Sequence, residues 1–134
     1  MTQVIIYTNE NGNVSVTTPT GETSIEEVLI KDCPNGAIIV DDSILPQGVD
    51  SLFFNAWELD NGTVTVNLTK AKEYKLGLYN SEALRVAQVR QLNMLAGISN
   101  TMSDADFLTM LTTDRALIAS ATTTAQLATI NNPE

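Results

Sequence analysis

Residues 63–76 read TVTVNLTKAKEYKL, and the spacing of their apolar residues changes partway along. The first four residues alternate, so Val64 and Val66 share one face of a β-strand. The remainder opens a segment in which apolar residues recur at helical spacing. We therefore expect an α+β chain. A small antiparallel β-sheet module with a short helix occupies residues 1–67, and a helical hairpin or bundle occupies residues 68–134.

Two β-hairpins are predicted in the first module. The first spans residues 4–17 and turns around Gly12, and the second pairs residues 53–59 with residues 63–67. Each turn contains an Asn-Gly dipeptide, whose residues tolerate the positive φ that tight hairpins need. Trp57 is the only tryptophan, and we expect it to anchor the core because large aromatic side chains dominate core burial.

A short helix and a third strand are predicted between the hairpins. Thr23 or Ser24 can cap the helix, and glutamates follow in its first turn. Three apolar residues fall on one helical face: Ile25, Val28 and Leu29. Residues 37–40 form a short continuous apolar run, which is typical of a buried strand.

The second module is predicted to be helical throughout. Residues 69–97 form either one long kinked helix or two consecutive helices, with Gly97 as the terminating residue. Ser103 is a predicted N-cap of the next helix, which carries Asp114 on its outer side. A last helical turn or two is expected within residues 125–130. The apolar face of the Ser103 helix is predicted to contain Phe107, Met110, Leu111, Leu117 and Ile118.

The composition excludes several classes of function. The chain has 134 residues with no histidine and a single cysteine, Cys33. Histidine-based catalytic triads, thiolate metal clusters and most zinc or haem sites are therefore ruled out, and we expect no metal and no cofactor. No apolar run is long enough for a membrane span, and the first residues do not resemble a signal peptide.

The charge is acidic overall and uneven along the chain. The formal net charge is −9. Residues 1–60 account for −9, residues 61–95 for +3 and residues 96–134 for −3. An acidic chain is poorly suited to general nucleic-acid binding, which depends on cations that contact phosphates. We therefore predict protein partners rather than nucleic acid or membrane.

The basic segment of the second module is the predicted partner-binding surface. Its cations can dock onto an acidic partner, including the acidic half of another copy of the chain. The same segment contains more apolar residues than one helical stripe can hide, which predicts a second surface against a partner or a sister subunit. The predicted partner-binding residues are Lys70, Lys72, Tyr74, Lys75, Leu78, Arg85 and Arg90.

The acidic pairs and the cysteine are interpreted as structural, and no catalytic residue is predicted. Asp41 and Asp42 are expected in a solvated turn, because a hard cation needs six or more oxygen ligands and no such spacing follows. Glu26 and Glu27 are expected to favour a helix N-terminus. Cys33 has no neighbouring base. A small carboxylate-based enzyme, or an inhibitor of a host enzyme, is the alternative function.

Five segments resemble small proteins encoded near the tail or tail-fibre genes of tailed bacteriophages. The segments are VIIYTNENGNVSV (4–16), PTGETSIEEV (19–28), KDCP (31–34), IVDDSILP (39–46) and FNAWE (54–58). The resemblance covers residues 4–75. It implies a non-enzymatic accessory assembly protein or minor virion component that binds a tail or fibre protein. It also implies a location in the virion or the bacterial cytoplasm.

Overall fold

A computed structural model describes residues 2–134. The chain divides into two compact units, Met1–Asn67 and Leu68–Glu134, which we call the β-rich unit and the helical unit. The first contains small antiparallel sheets and the second contains helices, so the predicted α+β class is confirmed.

The secondary structure follows the order β-β-α-β-β-β-α-α-α. The β-rich unit contains β1 (Gln3–Thr8), β2 (Val14–Thr17), α1 (Ile25–Asp32), β3 (Ile38–Asp41), β4 (Trp57–Asp60) and β5 (Thr63–Val66). The helical unit contains α2 (Leu68–Leu95), α3 (Asp104–Ser120) and α4 (Thr124–Ala128).

Strand β1 is the centre of a three-stranded sheet with the order β2-β1-β3. Both neighbours are antiparallel to it, with Ile6 opposite Val16 on one side and Ile5 opposite Ile39 on the other. The buried strand predicted at residues 37–40 is present as Ile38–Asp41, but it is half-buried rather than buried. Strand β3 is half-buried along its length because it lies at an edge of the sheet, where only one side has a neighbouring strand.

The predicted second hairpin is present, but its first strand is shorter than expected. Only Trp57–Asp60 is strand, and Gly48–Ala56 forms two 3-10 segments that meet at a kink at Phe53. Phe53 and Ala56 are both buried. The turn into β5 has positive φ at Asn61 (50°) and Gly62 (81°), as expected for an Asn-Gly hairpin turn.

The core of the β-rich unit lies between the two sheets. Alternation in β1 directs two apolar side chains to this face, while Ile5 on the opposite face is also fully buried. Helix α1 contacts β1 and β3, and Ser24 caps it by accepting the backbone N–H of Glu27. Trp57 is in the core, as predicted. The buried cluster consists of Val4, Ile6, Val14, Trp57 and Val64.

Helix α2 is one continuous helix of 28 residues, which decides between the two arrangements predicted for residues 69–97. It ends as predicted at Gly97, whose φ is +74°. The backbone N–H of Gly97 donates to the Met94 carbonyl at 3.2 Å, and that of Ile98 donates to the Asn93 carbonyl at 2.8 Å. These two bonds form a Schellman motif, which satisfies carbonyls left free at a helix end.

Helix α3 begins at the predicted cap, since Ser103 accepts the backbone N–H of Asp106 at 3.1 Å. The expected placement of two of its side chains is wrong. Asp114 is half-buried, whereas Leu117 is 50% exposed. Phe107 and Ile118 are eleven residues, or about three turns, apart, so both lie on the buried side of α3. Asp114 lies on that side as well.

Candidate interaction surface

Two lysines of α2 connect it to the C-terminal part of the helical unit. Lys72 Nζ donates to the Ala119 carbonyl at 2.9 Å, and Lys75 Nζ donates to the Ile130 carbonyl at 2.5 Å. Burial lowers the pKa of the Lys75 ammonium, and the negative charge of Asp114 partly opposes that shift. Both ammonium groups therefore cap backbone carbonyls at the end of α3 and just beyond α4.

A buried tyrosine joins α2 to α3. Tyr79 is fully buried, and its hydroxyl donates to Asp114 Oδ2 at 2.5 Å. Burial, followed by the hydrogen bond to the carboxylate, raises the pKa of Tyr79 well above its ordinary value of 10.0. This bond explains why Asp114 points inward: the carboxylate satisfies a hydroxyl that would otherwise be buried without a partner.

The two arginines of α2 are also paired within the unit. Arg85 Nε lies 2.9 Å from Glu82 one turn earlier, and this pair is solvent-exposed. Arg90 lies 2.7 Å from Asp104 at the start of α3, and its guanidinium stands 4.6 Å from the centre of the Phe107 ring. The second arrangement combines an ion pair with a cation–π contact across two helices.

The structure places the seven predicted partner-binding residues in different environments. Lys72, Lys75 and Arg90 make the intramolecular contacts described above. Lys70 and Tyr74 are half-buried. Leu78 is 44% exposed and Arg85 lies at the surface, so these two present the most accessible side chains of the set.

An apolar corner occurs where α2 passes into α3. Met94 is 55% exposed and Ile98 is 58% exposed, and Met102 adds a third accessible side chain. We call these three residues the apolar corner. Methionine side chains are flexible and polarisable, so they adapt to differently shaped partners. None of the three was among the predicted partner-binding residues, because their exposure depends on burial ending at Val86 of α2, which only the structure shows.

A groove of about 660 Å³ begins at Met102 of the apolar corner. Helix α3 contributes Phe107, Met110 and Leu117 to one wall, and residues 129–134 form another. Arg90 and Asp114 also line the groove, and both are held by the contacts described above. The groove thus combines an apolar wall on α3 with a largely polar wall at residues 129–134, and Arg90 and Asp114 are held in fixed positions along it.

A second apolar surface runs along α2. Its members fall within about 140° of the helix circumference, away from buried Tyr79, Ala83 and Val86. Buried Ala71, in the first turn of α2, lies on the side of Val89, so this surface begins only after the start of the helix. We call this surface the α2 stripe. Each member is at least 44% exposed: Leu78, Leu84, Val89, Leu92 and Leu95. It agrees with the expectation that α2 has more apolar residues than one buried face can hold.

The acidic residues considered as catalytic or cation sites have local structural contacts. Asp41 Oδ1 accepts the backbone N–H of Ser43 at 2.9 Å, and this bond lowers the pKa of the Asp41 carboxyl. Glu26 and Glu27 occupy the first turn of α1, where negative charge is favoured. Cys33 is a half-buried free thiol at the end of α1. Within residues 2–134, no three His, Cys, Asp or Glu side chains are grouped to hold a metal ion.

Comparisons with known proteins found no match for the chain. No family model matches it, no curated protein matches it, and no solved structure matches it. Among residues 2–134, none of the helices combines the length and the apolar character that crossing a membrane requires.

Proposed function

We propose that this protein is a non-enzymatic protein–protein interaction module, and that the apolar corner of its helical unit contacts the partner. The observation that carries the proposal is the exposure of Met94, Ile98 and Met102, which lie within nine residues of one another, and the last of which also lines the groove. Exposed apolar side chains gathered in one region mark interaction sites, because exposing them to water is unfavourable unless a partner covers them.

The charged groups of the helical unit support a binding role rather than acid–base chemistry. Tyr79 donates to Asp114, and Arg90 pairs with Asp104. Lys75 donates to a backbone carbonyl, and a charged ammonium makes this hydrogen bond more strongly than a neutral amine. A general base would need the neutral amine, so this contact favours the form that cannot accept a proton. These groups act as connections between α2 and the rest of the unit.

We further propose that the partner is a phage tail or tail-fibre protein, and that the chain is an accessory assembly protein or a minor virion component. The resemblance of residues 4–75 to small tail-associated phage proteins supports this partner. The proposal also assigns the protein to the virion or to the cytoplasm of the infected bacterium.

The test follows the protein through phage infection. Intact particles are separated in a density gradient and probed for the chain, and the cleared lysate is probed for a complex with the fibre protein. Retention on particles identifies a virion component, whereas a complex confined to the lysate identifies an assembly protein. A chain that is unbound in both fractions overturns the proposal.

A pair of variants tests the contact surface itself. Ile98→Glu places a charge in the apolar corner and should abolish the association. Ile30→Glu is the matched control, because Ile30 is 80% exposed on α1 of the β-rich unit. Association that survives Ile98→Glu would move the contact away from the apolar corner.

A further inference from the structure

We infer that the groove beside α3 binds an α-helix of the partner protein, and that this helix presents a lysine or arginine to Asp114 between two apolar residues. The groove is the one that begins at Met102 of the apolar corner. This inference rests on the proposed function, because it names the kind of element through which the partner binds.

The side chains that α3 contributes to the groove follow a heptad spacing. They recur three and four residues apart in turn, as do the positions at which one helix packs against another. The last of them, Ala121, directly follows α3 and lines a cavity of about 310 Å³. That cavity continues the groove, because Leu117, Thr129 and Ile130 line both. The full series is Phe107, Met110, Asp114, Leu117 and Ala121.

The groove and its continuation have the length of a short helix. Phe107 and Ala121 are fourteen residues apart, which corresponds to about 21 Å along a helix. Both are buried, whereas Met110 and Asp114 are half-buried and Leu117 is 50% exposed. The part that a partner can reach therefore lies along the three middle residues of the series, over about two turns of α3.

A helix suits this groove better than an extended segment does. Extended peptides bind by adding a strand to the edge of a sheet, where backbone groups can pair with them. Within residues 2–134, all five strands lie in the β-rich unit, whereas the groove belongs to the helical unit. The groove offers a row of side chains about one turn apart, between which the side chains of a second helix can pack.

Asp114 places a carboxylate in the middle of this row. Its Oδ2 accepts the Tyr79 hydroxyl at 2.5 Å, while Oδ1 accepts no hydrogen bond from residues 2–134. A carboxylate can accept at both oxygens, so a donor from outside the chain can be added without breaking the bond to Tyr79. A charged donor makes the stronger hydrogen bond, which favours a lysine or arginine opposite Asp114.

The other charges at the groove agree with a basic partner residue. Arg90 lines the groove, but its guanidinium is paired at 2.7 Å with Asp104. Lys75 interacts electrostatically with Asp114 but donates its hydrogen bond to a backbone carbonyl. Glu134 adds a second carboxylate to the lining. A basic residue on the bound helix is therefore matched by opposite charge, whereas an acidic one would be repelled.

The experiment measures the binding of two designed peptides to the full chain by fluorescence anisotropy. The basic probe is an alanine-based helix of about 14 residues, covalently stapled because short helices are marginal in water. It carries one arginine between two leucines, one of them three residues before it and the other four residues after it. The neutral probe has glutamine in place of the arginine. The basic probe should bind with a Kd of about 100 µM or lower, and the neutral probe about fivefold more weakly.

Two leucines of α3 provide a matched pair of variants. Leu117 lines the groove, whereas Leu108, which is 63% exposed, lies nine residues away on the opposite side of the helix. Leu117→Gln should weaken binding of the basic probe about fivefold or more, because it removes an apolar contact. Leu108→Gln is the control and should change the Kd by less than about twofold.

A third variant tests the charge at the centre. Asp114→Asn keeps an oxygen that can accept from the Tyr79 hydroxyl but removes the negative charge. The two probes should then bind within about twofold of each other, as a double-mutant cycle requires when their difference arises at this residue.

Several outcomes would overturn the inference. They are an absence of binding by the basic probe, equal binding of both probes to the wild type, equal losses in Leu117→Gln and Leu108→Gln, and a difference between the probes that persists in Asp114→Asn. The proposed function is tested separately by the phage fractions and by Ile98→Glu. A chain that binds neither probe but still travels with phage particles would overturn this inference and leave the proposed function standing.

Discussion

The two units of this chain are stabilised in different ways. The β-rich unit has a buried cluster of apolar residues around Trp57, and side-chain hydrogen bonds such as Asn9 to Ser15 join residues close in sequence. The helical unit uses polar side chains to connect distant elements. Tyr79 reaches a residue 35 positions away, and Lys75 reaches one 55 positions away.

This difference explains why several apolar side chains of the helical unit remain exposed. Polar connections hold α2 to α3 and to the C-terminal segment, and burial on α2 is confined to small Ala71 and Ala83 together with Tyr79 and Val86. Large residues such as Leu92 and Leu95 are left at the surface. A unit held together partly by hydrogen bonds can expose apolar surface for association without losing its own packing.

The largest effect is expected for the core of the β-rich unit. Trp57→Ala should cost about 3–5 kcal/mol of unfolding free energy, because it removes a large buried aromatic side chain. Urea denaturation with amide hydrogen exchange at β1 measures the loss. Phe54→Ala is the control, since the Phe54 ring lies tilted with its centre 4.8 Å from that of Trp57 but Phe54 is 41% exposed, and the loss of stability should be clearly smaller. Equal losses would show that the cluster is not what holds this unit.

The next effect is expected for the buried tyrosine of the helical unit. Tyr79→Phe should cost about 1–3 kcal/mol, because Asp114 loses its hydrogen-bond donor in a half-buried position. Calorimetry of the variant measures the loss, and Tyr74→Phe on the same helix is the matched control. A larger loss of stability for Tyr79→Phe than for Trp57→Ala would show that this hydrogen bond contributes more to the helical unit than the apolar cluster contributes to the β-rich unit.

The same tyrosine predicts a dependence on pH. The pKa of Tyr79 is raised in the folded chain above its unfolded value of 10.0, so its contribution is complete below pH 10 and decreases as the pH rises above it. The unfolding free energy of the wild type should therefore fall more steeply above pH 10 than that of Tyr79→Phe. Parallel curves for the two proteins would contradict this assignment.

A smaller effect is expected for the lysine connection. Lys75→Met keeps the length of the side chain but removes the donor to the Ile130 carbonyl, and should cost about 0.5–1.5 kcal/mol. Amide exchange should accelerate at α4. Lys31→Met on exposed α1 is the control and should change stability by a few tenths of a kcal/mol at most. An unchanged α4 in Lys75→Met would mean that apolar burial of Leu127 alone holds this segment.

The smallest effect is expected for the exposed ion pair. Glu82→Gln should change the unfolding free energy by about 0.5 kcal/mol or less, because Glu82 and Arg85 are solvated neighbours on one helix. The difference from wild type should vanish in 1 M salt. A larger loss would show that exposed charges of the helical unit contribute to its stability as much as the half-buried ones.

The local features of the fold could be predicted from the sequence. The change of periodicity after Val66, the turn at Asn61-Gly62, and the caps Ser24 and Ser103 each depend on residues within a few positions of one another. Gly97 ends α2 for the same local reason. Such signals survive in any tertiary arrangement.

The features that were predicted wrongly depend on neighbours distant in sequence. Asp114 is turned inward by a hydroxyl 35 residues away. The hydrogen bond from Lys72, which stays a predicted partner-binding residue, also depends on a distant neighbour, the Ala119 carbonyl 47 residues along the chain. The edge position of β3 likewise depends on which strand pairs with β1. For the α2 stripe, the sequence predicts only an excess of apolar residues on this helix. Which of those residues are exposed depends on which face of α2 is buried, and only the structure shows that face.

The position of Trp57 gives the two units separate optical signals. The only indole of the chain is buried in the β-rich unit, where its Nε1–H donates to the Asp50 carbonyl at 3.0 Å. Its fluorescence therefore reports on the environment of that unit. Helical ellipticity comes mainly from α2 and α3, with 28 and 17 residues against 8 in α1. An unlabelled sample can thus be followed by emission for one unit and by circular dichroism chiefly for the other.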